Sequence, residues 1–150
     1  MSRKGFTLVE LLAVVVILGI LSLIAVPNVV SIINNNRKDI MVNDAKKVIS
    51  LAKAKVNSDI SVREFTNSSC DYSNKSCSFS LENLDINNDI KNDPDNGEYN
   101  KTNSYVKYYL ENNVVTYCIY LEGSIRKIGT SNNCVKELDL STSRVVEISE

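Results

Sequence analysis

The stretch that decides the fold is GFTLVELLAVVVILGILSLIAVP, residues 5–27. Glu10 is the one charged residue within it, and nearly all of its other side chains are apolar. At about 1.5 Å of rise per residue, a helix from Phe6 to Val26 is about 30 Å long, which matches the hydrocarbon core of a bilayer. A carboxylate costs about 2.5–3.5 kcal/mol at the centre of such a helix. The sequence therefore predicts a membrane-spanning helix with one acidic side chain, and we expect this carboxylate to pair with a group of opposite charge.

Basic residues flank this run on one side. Arg3 and Lys4 precede it, and the next basic residue is Arg37. The positive-inside rule then puts the leader in the cytoplasm and the rest of the chain outside. We therefore expect a single-pass precursor in the cytoplasmic membrane with its C-terminal domain outside.

Two simpler interpretations compete with a specialised signal. A secretory signal peptide also has a basic start and an apolar core, but this run is too long, and Ser22 and Ala25 have the wrong spacing for its cleavage site. A plain membrane anchor explains the apolar run, but it does not explain Gly5 and Phe6 together with Glu10. Because Glu10 lies near the interface, it could also reach water without any special role.

The motif KGFTLVE at residues 4–10, followed by a hydrophobic helix, resembles the class III signal of type IV pilins and pseudopilins. The resemblance implies that a prepilin peptidase cuts between Gly5 and Phe6 and methylates the new amine of Phe6. It also implies that Glu10 of one subunit faces the Phe6 amine of a neighbour during assembly. Pro27 stands where the family usually has a helix-kinking proline. The strong resemblance covers roughly the first third of the chain, and beyond about residue 60 the architecture alone is compatible.

Physical reasons support these roles. Gly5 lacks a Cβ, so the backbone can approach a peptidase closely at the cut. Burying either the Glu10 carboxylate or the new ammonium alone is costly, and pairing offsets much of that cost. Gly19 and Pro27 weaken a helix locally by about 1 and 3 kcal/mol. We interpret the segment between them as one that can extend when a fibre is assembled or pulled.

One continuous helix is expected from Thr7 to about Asn57. Its second half is amphipathic, with apolar residues at three- and four-residue spacing that should pack against a sheet: Ile33, Ile40, Met41, Ala45, Val48, Ile49, Ala52 and Val56. The charged residues of this half are expected on a solvated face: Arg37, Lys38, Asp39, Asp44, Lys46, Lys47, Lys53 and Lys55.

Residues 58 to about 104 are polar and weakly periodic, which predicts a connecting loop with one short helix or strand near Ser78–Leu84. The heptapeptide NDPDNGE at residues 92–98 is a strong turn signal. Its carboxylates also invite a calcium site, as in some secretion pseudopilins, but the glycine comes one position too early for an EF-hand. We expect an ordinary acidic turn and no cofactor, with calcium as the less favoured alternative.

The C-terminal part predicts strands. Tyr105–Leu110 and Val114–Leu121 flank a short turn and form a hairpin, followed by a strand at Ser124–Ile128 and a last short one around residues 145–148. Val115, Tyr117, Ile119 and Leu121 share one face, which should cover the helix. The expected fold class is therefore α+β: a long N-terminal α-helix, transmembrane and then amphipathic, packed on a small antiparallel β-sheet, as in the type IV pilin fold.

Four cysteines follow the membrane segment on the side predicted to be outside, and their even count favours disulfides: Cys70, Cys77, Cys118 and Cys134. Three pairings are open, and proximity along the chain favours Cys70–Cys77 with Cys118–Cys134. The second pair would resemble the family's disulfide-bounded C-terminal loop. Zinc is a poor alternative, because the chain has no His and lacks the C-x₂₋₄-C spacing.

These patterns divide the chain into four parts. Residues 1–5 are a leader peptide, 6–27 the transmembrane and assembly half of the helix, 28–57 its amphipathic half, and 58–150 a globular head with the sheet. We expect no enzyme, because a chain without His has no His-based general base or triad and because no Gly-rich phosphate loop is present. Strong nucleic-acid binding is not expected from a net charge of −1. Five tyrosines could stack on bases, although tyrosines in strands more often pack within the sheet: Tyr105, Tyr108, Tyr109, Tyr117 and Tyr120.

The function that the resemblance implies is structural. The chain would be a subunit of a type IV pilus, polymerised through its helix into a surface filament for adhesion, motility or aggregation. Its partners would be copies of itself, other pilins, the prepilin peptidase, and a platform protein with its assembly ATPase. The alternative is a minor pilin, or a pseudopilin of a type II secretion or DNA-uptake system, that binds a substrate directly.

Overall fold

The computed structural model describes residues 5–64, 67–84, 86, 90 and 92–148. It contains a long helix, α1 (Leu8–Ser58), and a short one, α2 (Ile60–Arg63). The strands are β1 (Cys70–Asp71), β2 (Ser76–Ser80), β3 (Tyr105–Glu111), β4 (Val114–Glu122), β5 (Arg126–Ile128), β6 (Val135–Lys136) and β7 (Val145–Glu147). The predicted α+β class is confirmed. Of the predicted leader, Gly5 alone belongs to the described residues, so the residues 1–4 that carry Arg3 and Lys4 lie outside them.

The chain divides into two compact units, with the boundary between Asn36 and Arg37. In the first unit α1 exposes every side chain from Leu8 to Ile33. By length and composition, α1 is long and apolar enough to cross a membrane. The predicted boundaries of α1, Thr7 and Asn57, each differ by one residue from those of the structure.

In the second unit one face of α1 packs into the core. The predicted stripe is correct from Met41 onward, and its buried members are Met41, Ala45, Val48, Ile49, Ala52 and Val56. Ile33 and Ile40, which were expected on the same stripe, are 44% and 48% exposed. The predicted stripe therefore began too early by two of its members, because apolar spacing alone does not show where the core begins to cover the helix.

The sheet has the order β1-β2-β3-β4-β5-β7, and β6 also pairs with β4. The predicted hairpin is present as β3 and β4, with Glu111 paired to Val114 across Asn112 and Asn113. Both asparagines have positive φ, 53° and 63°, which a two-residue turn matching the strand twist requires and which Asn tolerates well. β5 and β6 lie along the same edge of β4, because β5 pairs at Leu121 and Glu122 while β6 pairs at Cys118 and Ile119.

The region expected to be mainly loop adds two strands to the sheet. β1 and β2 form a hairpin, and β2 pairs along its whole length with β3, from Ser76 with Tyr109 to Ser80 with Tyr105. The expected element near Ser78–Leu84 is this strand followed by a 3₁₀ turn at Glu82–Leu84. The hairpin was missed because β2 is mostly serine, with Phe79 as its one large apolar side chain, so neighbouring strands rather than its own composition make it a strand.

Most residues on the face of β4 that was predicted to cover the helix are buried. Tyr117, Ile119 and Leu121 are buried, whereas Val115 is 50% exposed. Val115 lies next to the hairpin turn, at the end of β4 where the first residues of the strand are exposed or half-buried.

Candidate assembly site at the start of the helix

The described segment before α1 has no regular secondary structure and is exposed. Gly5, Phe6 and Thr7 precede the first helical residue, Leu8, and the Phe6 side chain is 84% exposed. A Cβ built on Gly5 meets no atom within 4 Å. The peptide bond between Gly5 and Phe6 is therefore accessible in the described part of the chain, and whether a peptidase cuts it stays a prediction.

Thr7 and Glu10 form a capping box at the N-terminus of α1. The Glu10 Oε2 atom accepts hydrogen bonds from the Thr7 backbone amide at 2.9 Å and from the Thr7 hydroxyl at 2.8 Å. In return the Glu10 amide donates to the Thr7 Oγ1 at 3.3 Å. The Leu11 amide donates to the Thr7 carbonyl, which places Thr7 at the N-cap. This reciprocal arrangement satisfies amide donors that a helix start otherwise leaves without partners.

The capping box gives one oxygen of the Glu10 carboxylate hydrogen-bond donors from its own chain. Its Oε2 atom already accepts two bonds within the chain, whereas the hydrogen bonds of the described residues do not engage Oε1. One oxygen is thus bound locally, and the other is open to a donor from outside. The negative charge also lies at the positive end of the helix macrodipole, which favours it there.

Two side chains modify the backbone hydrogen bonding farther along the apolar segment. The Ser22 hydroxyl donates to the Leu18 carbonyl at 2.7 Å, and the Asn28 side-chain amide donates to the Ile24 carbonyl at 3.1 Å. Pro27 lies inside the helix and has no amide hydrogen, so the helical bond to the carbonyl four residues earlier cannot form. Its assembly role stays a prediction.

The four cysteines form two disulfides in the second unit. Cys70 is bonded to Cys77, directly across the β1–β2 hairpin, and Cys118 of β4 is bonded to Cys134 just before β6. These are the pairs that proximity along the chain favours. The second bridge ties the C-terminal loop to the centre of the sheet.

The acidic turn after residue 91 is packed into the second unit. The Asp93 side chain accepts hydrogen bonds from the amides of Asp95 and Gly97 at 2.9 and 2.8 Å, and from the amide and hydroxyl of Ser124. Burial by itself would raise the pKa of Asp93, but the bonds from Ser124, Gly97 and Asp95 together hold this pKa below its usual value. Gly97 allows the close approach, because a Cβ there would lie 2.5 Å from the Ser124 side chain.

Asp95 is bound by two arginines. Its Oδ1 lies 3.0 Å from Arg37 Nη1, and its Oδ2 lies 2.9 Å from Arg126 Nε. The Asp93 and Asp95 carboxylates therefore both have protein donors, which would compete with a bound cation. Within the described ranges no group of three or more His, Cys, Asp or Glu side chains is arranged to hold a metal ion, and calcium binding stays untested.

Asp44 was expected on the solvated face, and that expectation was wrong, whereas the Arg37 side chain is 36% exposed. Asp44 is 6% exposed and accepts a bond from the Tyr99 hydroxyl at 3.0 Å. Burial, reinforced by the charge and hydrogen bond of Asp44, raises the pKa of Tyr99. Lys53 likewise pairs with Glu137 of the same chain. Sequence spacing missed these contacts because their partners lie 55 to 84 positions away along the chain.

The strand tyrosines divide between the two faces of the sheet. Tyr108 and Tyr117 belong to the core, and their ring centroids are 5.4 Å apart. Tyr105 and Tyr120 pair on the other face at 5.9 Å, and the Tyr120 hydroxyl donates to Glu122. Packing within the sheet therefore occupies much of the aromatic surface that could have stacked on bases.

The capping box also carried a sequence signal that the motif analysis did not use. Thr7 and Glu10 have the T-x-x-E spacing that predicts an N-terminus directly before an apolar helix. The arginine pair around Asp95 had no such signal, since it joins three segments that meet only after folding.

Comparison with known proteins gives one match. Residues 1–26 match the family described as "Prokaryotic N-terminal methylation motif". The match spans Gly5, Phe6 and Glu10 and ends directly before Pro27. Neither a curated protein nor a solved structure matches the chain.

Proposed function

Residues 1–26 carry the class III signal of type IV pilin-like precursors, and from this premise we propose that the chain is the structural subunit of a type IV pilus. In this proposal the precursor is anchored in the cytoplasmic membrane by α1 and is cut after Gly5. It is then polymerised through α1 by an assembly platform and its ATPase. The resulting filament serves adhesion, surface motility or aggregation.

The methylation motif on an exposed apolar helix is the observation that carries this proposal. Every side chain of α1 between Leu8 and Ile33 is exposed in the single chain, which is far more apolar surface than a monomeric protein leaves to water. Lipid covers such a surface before assembly, and the helices of neighbouring subunits cover it in a filament.

Glu10 supplies register in this proposal. Cleavage after Gly5 creates an ammonium at Phe6, and the open Oε1 of Glu10 can accept from the Phe6 ammonium of a neighbour. A subunit out of register leaves both charges without partners in an apolar medium, where each is costly. The pair therefore selects the correct stagger between subunits more than it adds overall stability.

Mass spectrometry of filaments sheared from cells tests the proposal. We expect the subunit to be abundant in this material and to begin at N-methylated Phe6, with all four thiols oxidised. Recovery of the uncut chain from membranes, with none in the filaments, would contradict it. Cut subunits that stay scarce in filaments would instead indicate a minor pilin or a secretion pseudopilin.

Glu10→Gln separates charge from capping in the same assay. The amide oxygen of the substituted side chain can still accept from Thr7, so the helix start is retained while the negative charge is lost. We expect normal insertion and cleavage but at least tenfold fewer subunits in filaments. Glu64→Gln is the matched control, because it removes the same charge from an exposed position that lies outside α1.

A further inference from the structure

Three side chains join α1 to the rest of the second unit at its first residue. Arg37, where this unit begins, binds one oxygen of Asp95, and Arg126 of β5 binds the other. The Asp95 and Arg126 side chains are 1% and 4% exposed, whereas that of Arg37 is 36% exposed. We call this arrangement the arginine clamp. It bridges the helix, the acidic turn and the sheet.

The turn that carries Asp95 is itself held firmly. Asp93 accepts bonds from the amides of Asp95 and Gly97 and from Ser124, which follows β4. A Cβ on Gly123 would lie 2.8 Å from the Asp93 Oδ2, so the backbone is closely packed here. Asp95 therefore cannot follow Arg37 if the helix is drawn away.

The side chains on one face of α1 change from exposed to buried at the clamp. Val29, Val30 and Ile32 are 52%, 53% and 58% exposed, and Pro27 lacks the amide of a regular turn. Met41, one turn after Arg37, is completely buried. Helix formation on the N-terminal side depends on local hydrogen bonds and the surrounding medium, whereas on the C-terminal side the core adds to it.

We propose that the arginine clamp is a mechanical stop, which ends at residue 36 the part of α1 that can unwind when the chain is pulled. The inference rests on the proposed function for the source of the pull, which is tension along a filament. Each residue that leaves the helix lengthens the chain by about 1.8 Å. The clamp limits this lengthening and keeps the head folded, because its buried carboxylate opposes the loss of either guanidinium.

Hydrogen exchange of the full chain in detergent micelles tests the clamp without requiring a filament. In Arg37→Gln we expect the amides of residues 37–41 to exchange at least tenfold faster than in the unmodified chain. The amides of residues 48–56 should keep their protection, which shows that the second unit is folded. Lys47→Gln is the matched control, because it removes a helix cation whose partner, Asp44, lies on the same helix. Equal exchange in Arg37→Gln and the unmodified chain would overturn the proposal.

Pulling single filaments tests the stop under load. In Arg37→Gln, four further residues should unwind before the buried Met41 side chain holds the helix. The maximum extension should therefore increase by about 7 Å per subunit. Lys47→Gln should leave it unchanged, and equal extension in Arg37→Gln and unmodified filaments would overturn the stop. If the unmodified chain forms no filaments, the proposed function fails, while the exchange experiment still decides whether the clamp holds the helix.

Discussion

The Glu10 carboxylate has a partner within its own chain before any neighbour arrives. Thr7 binds its Oε2 through both the backbone amide and the hydroxyl. An acid near the end of an apolar helix is therefore less isolated than its sequence position indicates. This local pairing lowers the cost of keeping the charge in the precursor, and it leaves Oε1 in place for the ammonium that cleavage would create.

Thr7→Val tests the local part of this arrangement. Valine keeps the shape of threonine but loses the hydroxyl that donates to Glu10 and accepts from the Glu10 amide. Losing an N-cap side chain costs about 1 kcal/mol, so the amides of Val9, Glu10 and Leu11 should exchange about fivefold faster. Hydrogen exchange of the full chain in micelles measures this difference.

Thr7→Ser is the control, since serine keeps the capping hydroxyl. Its exchange at the helix start should match that of the unmodified chain. If valine and serine behave alike, the hydroxyl does not hold the helix start. Comparison of Thr7→Val with Glu10→Gln in filaments then separates capping from charge, because the first variant retains the carboxylate.

At the scale of elements, the sequence predicted the helix and strands that a single segment determines, and it missed the strands and contacts that form only when several segments meet. α1 was located to within one residue at each end. A single continuous segment of the sequence contains its apolar run, its buried stripe and both of its ends. The hairpin of β3 and β4 was likewise found from two runs rich in Tyr, Val and Ile that flank a short turn. β1 and β2 were missed because their serines become a strand only beside β3. The clamp around Asp95 was missed for the same reason.

The two disulfides close loops of different length. Cys118–Cys134 spans 16 positions and ties β4 to the start of β6, whereas Cys70–Cys77 spans 7 and closes one hairpin. In the chain-entropy model, a loop of about 15 residues contributes about 3 kcal/mol, and one of about 7 residues contributes about 2 kcal/mol. Replacing both Cys118 and Cys134 by Ala should therefore destabilise the head more than replacing both Cys70 and Cys77.

Urea unfolding of the full chain in micelles, followed by the near-ultraviolet signal of the head tyrosines, measures the two losses. The midpoint should fall in both double variants and farther in the Cys118/Cys134 pair. A larger fall for the hairpin pair would mean that native contacts around β1, rather than loop length, determine the contribution. Reduction of the unmodified chain is the control, since it should combine both effects.

At the scale of the whole molecule, the two units depend on different surroundings. The described residues of the first unit expose an apolar helix and contribute nothing to the buried core, and in the proposed function lipid or neighbouring helices cover this surface. The second unit buries a contiguous core that includes Met41, Phe79 and Ile119. Agents that disturb the membrane should therefore affect the first unit, whereas acid should affect the second through its buried carboxylates.

The acid response of the second unit should depend on Asp93. Because the folded state holds the pKa of Asp93 below the unfolded value of 3.8, the ionised group stabilises the fold fully above about pH 3.8. This stabilisation is lost as the pH falls through the lower folded pKa. Asp93→Asn should reduce stability by about 2–3 kcal/mol at pH 7, because it removes charge-assisted bonds to Gly97 and Ser124. It should also flatten the decline in stability below pH 3.8.

Asp71→Asn is the matched control. Asp71 also has a lowered pKa, through hydrogen bonds from Asn74, but it lies on the exposed β1–β2 hairpin. Its replacement should change the urea midpoint little between pH 2 and pH 7, since water substitutes readily for lost bonds on the surface. An acid limb that is equally steep in Asp93→Asn and the unmodified chain would assign the acid sensitivity of the head to other carboxylates. The turn would then be held by packing around Gly97 and Gly123 rather than by the charge of Asp93.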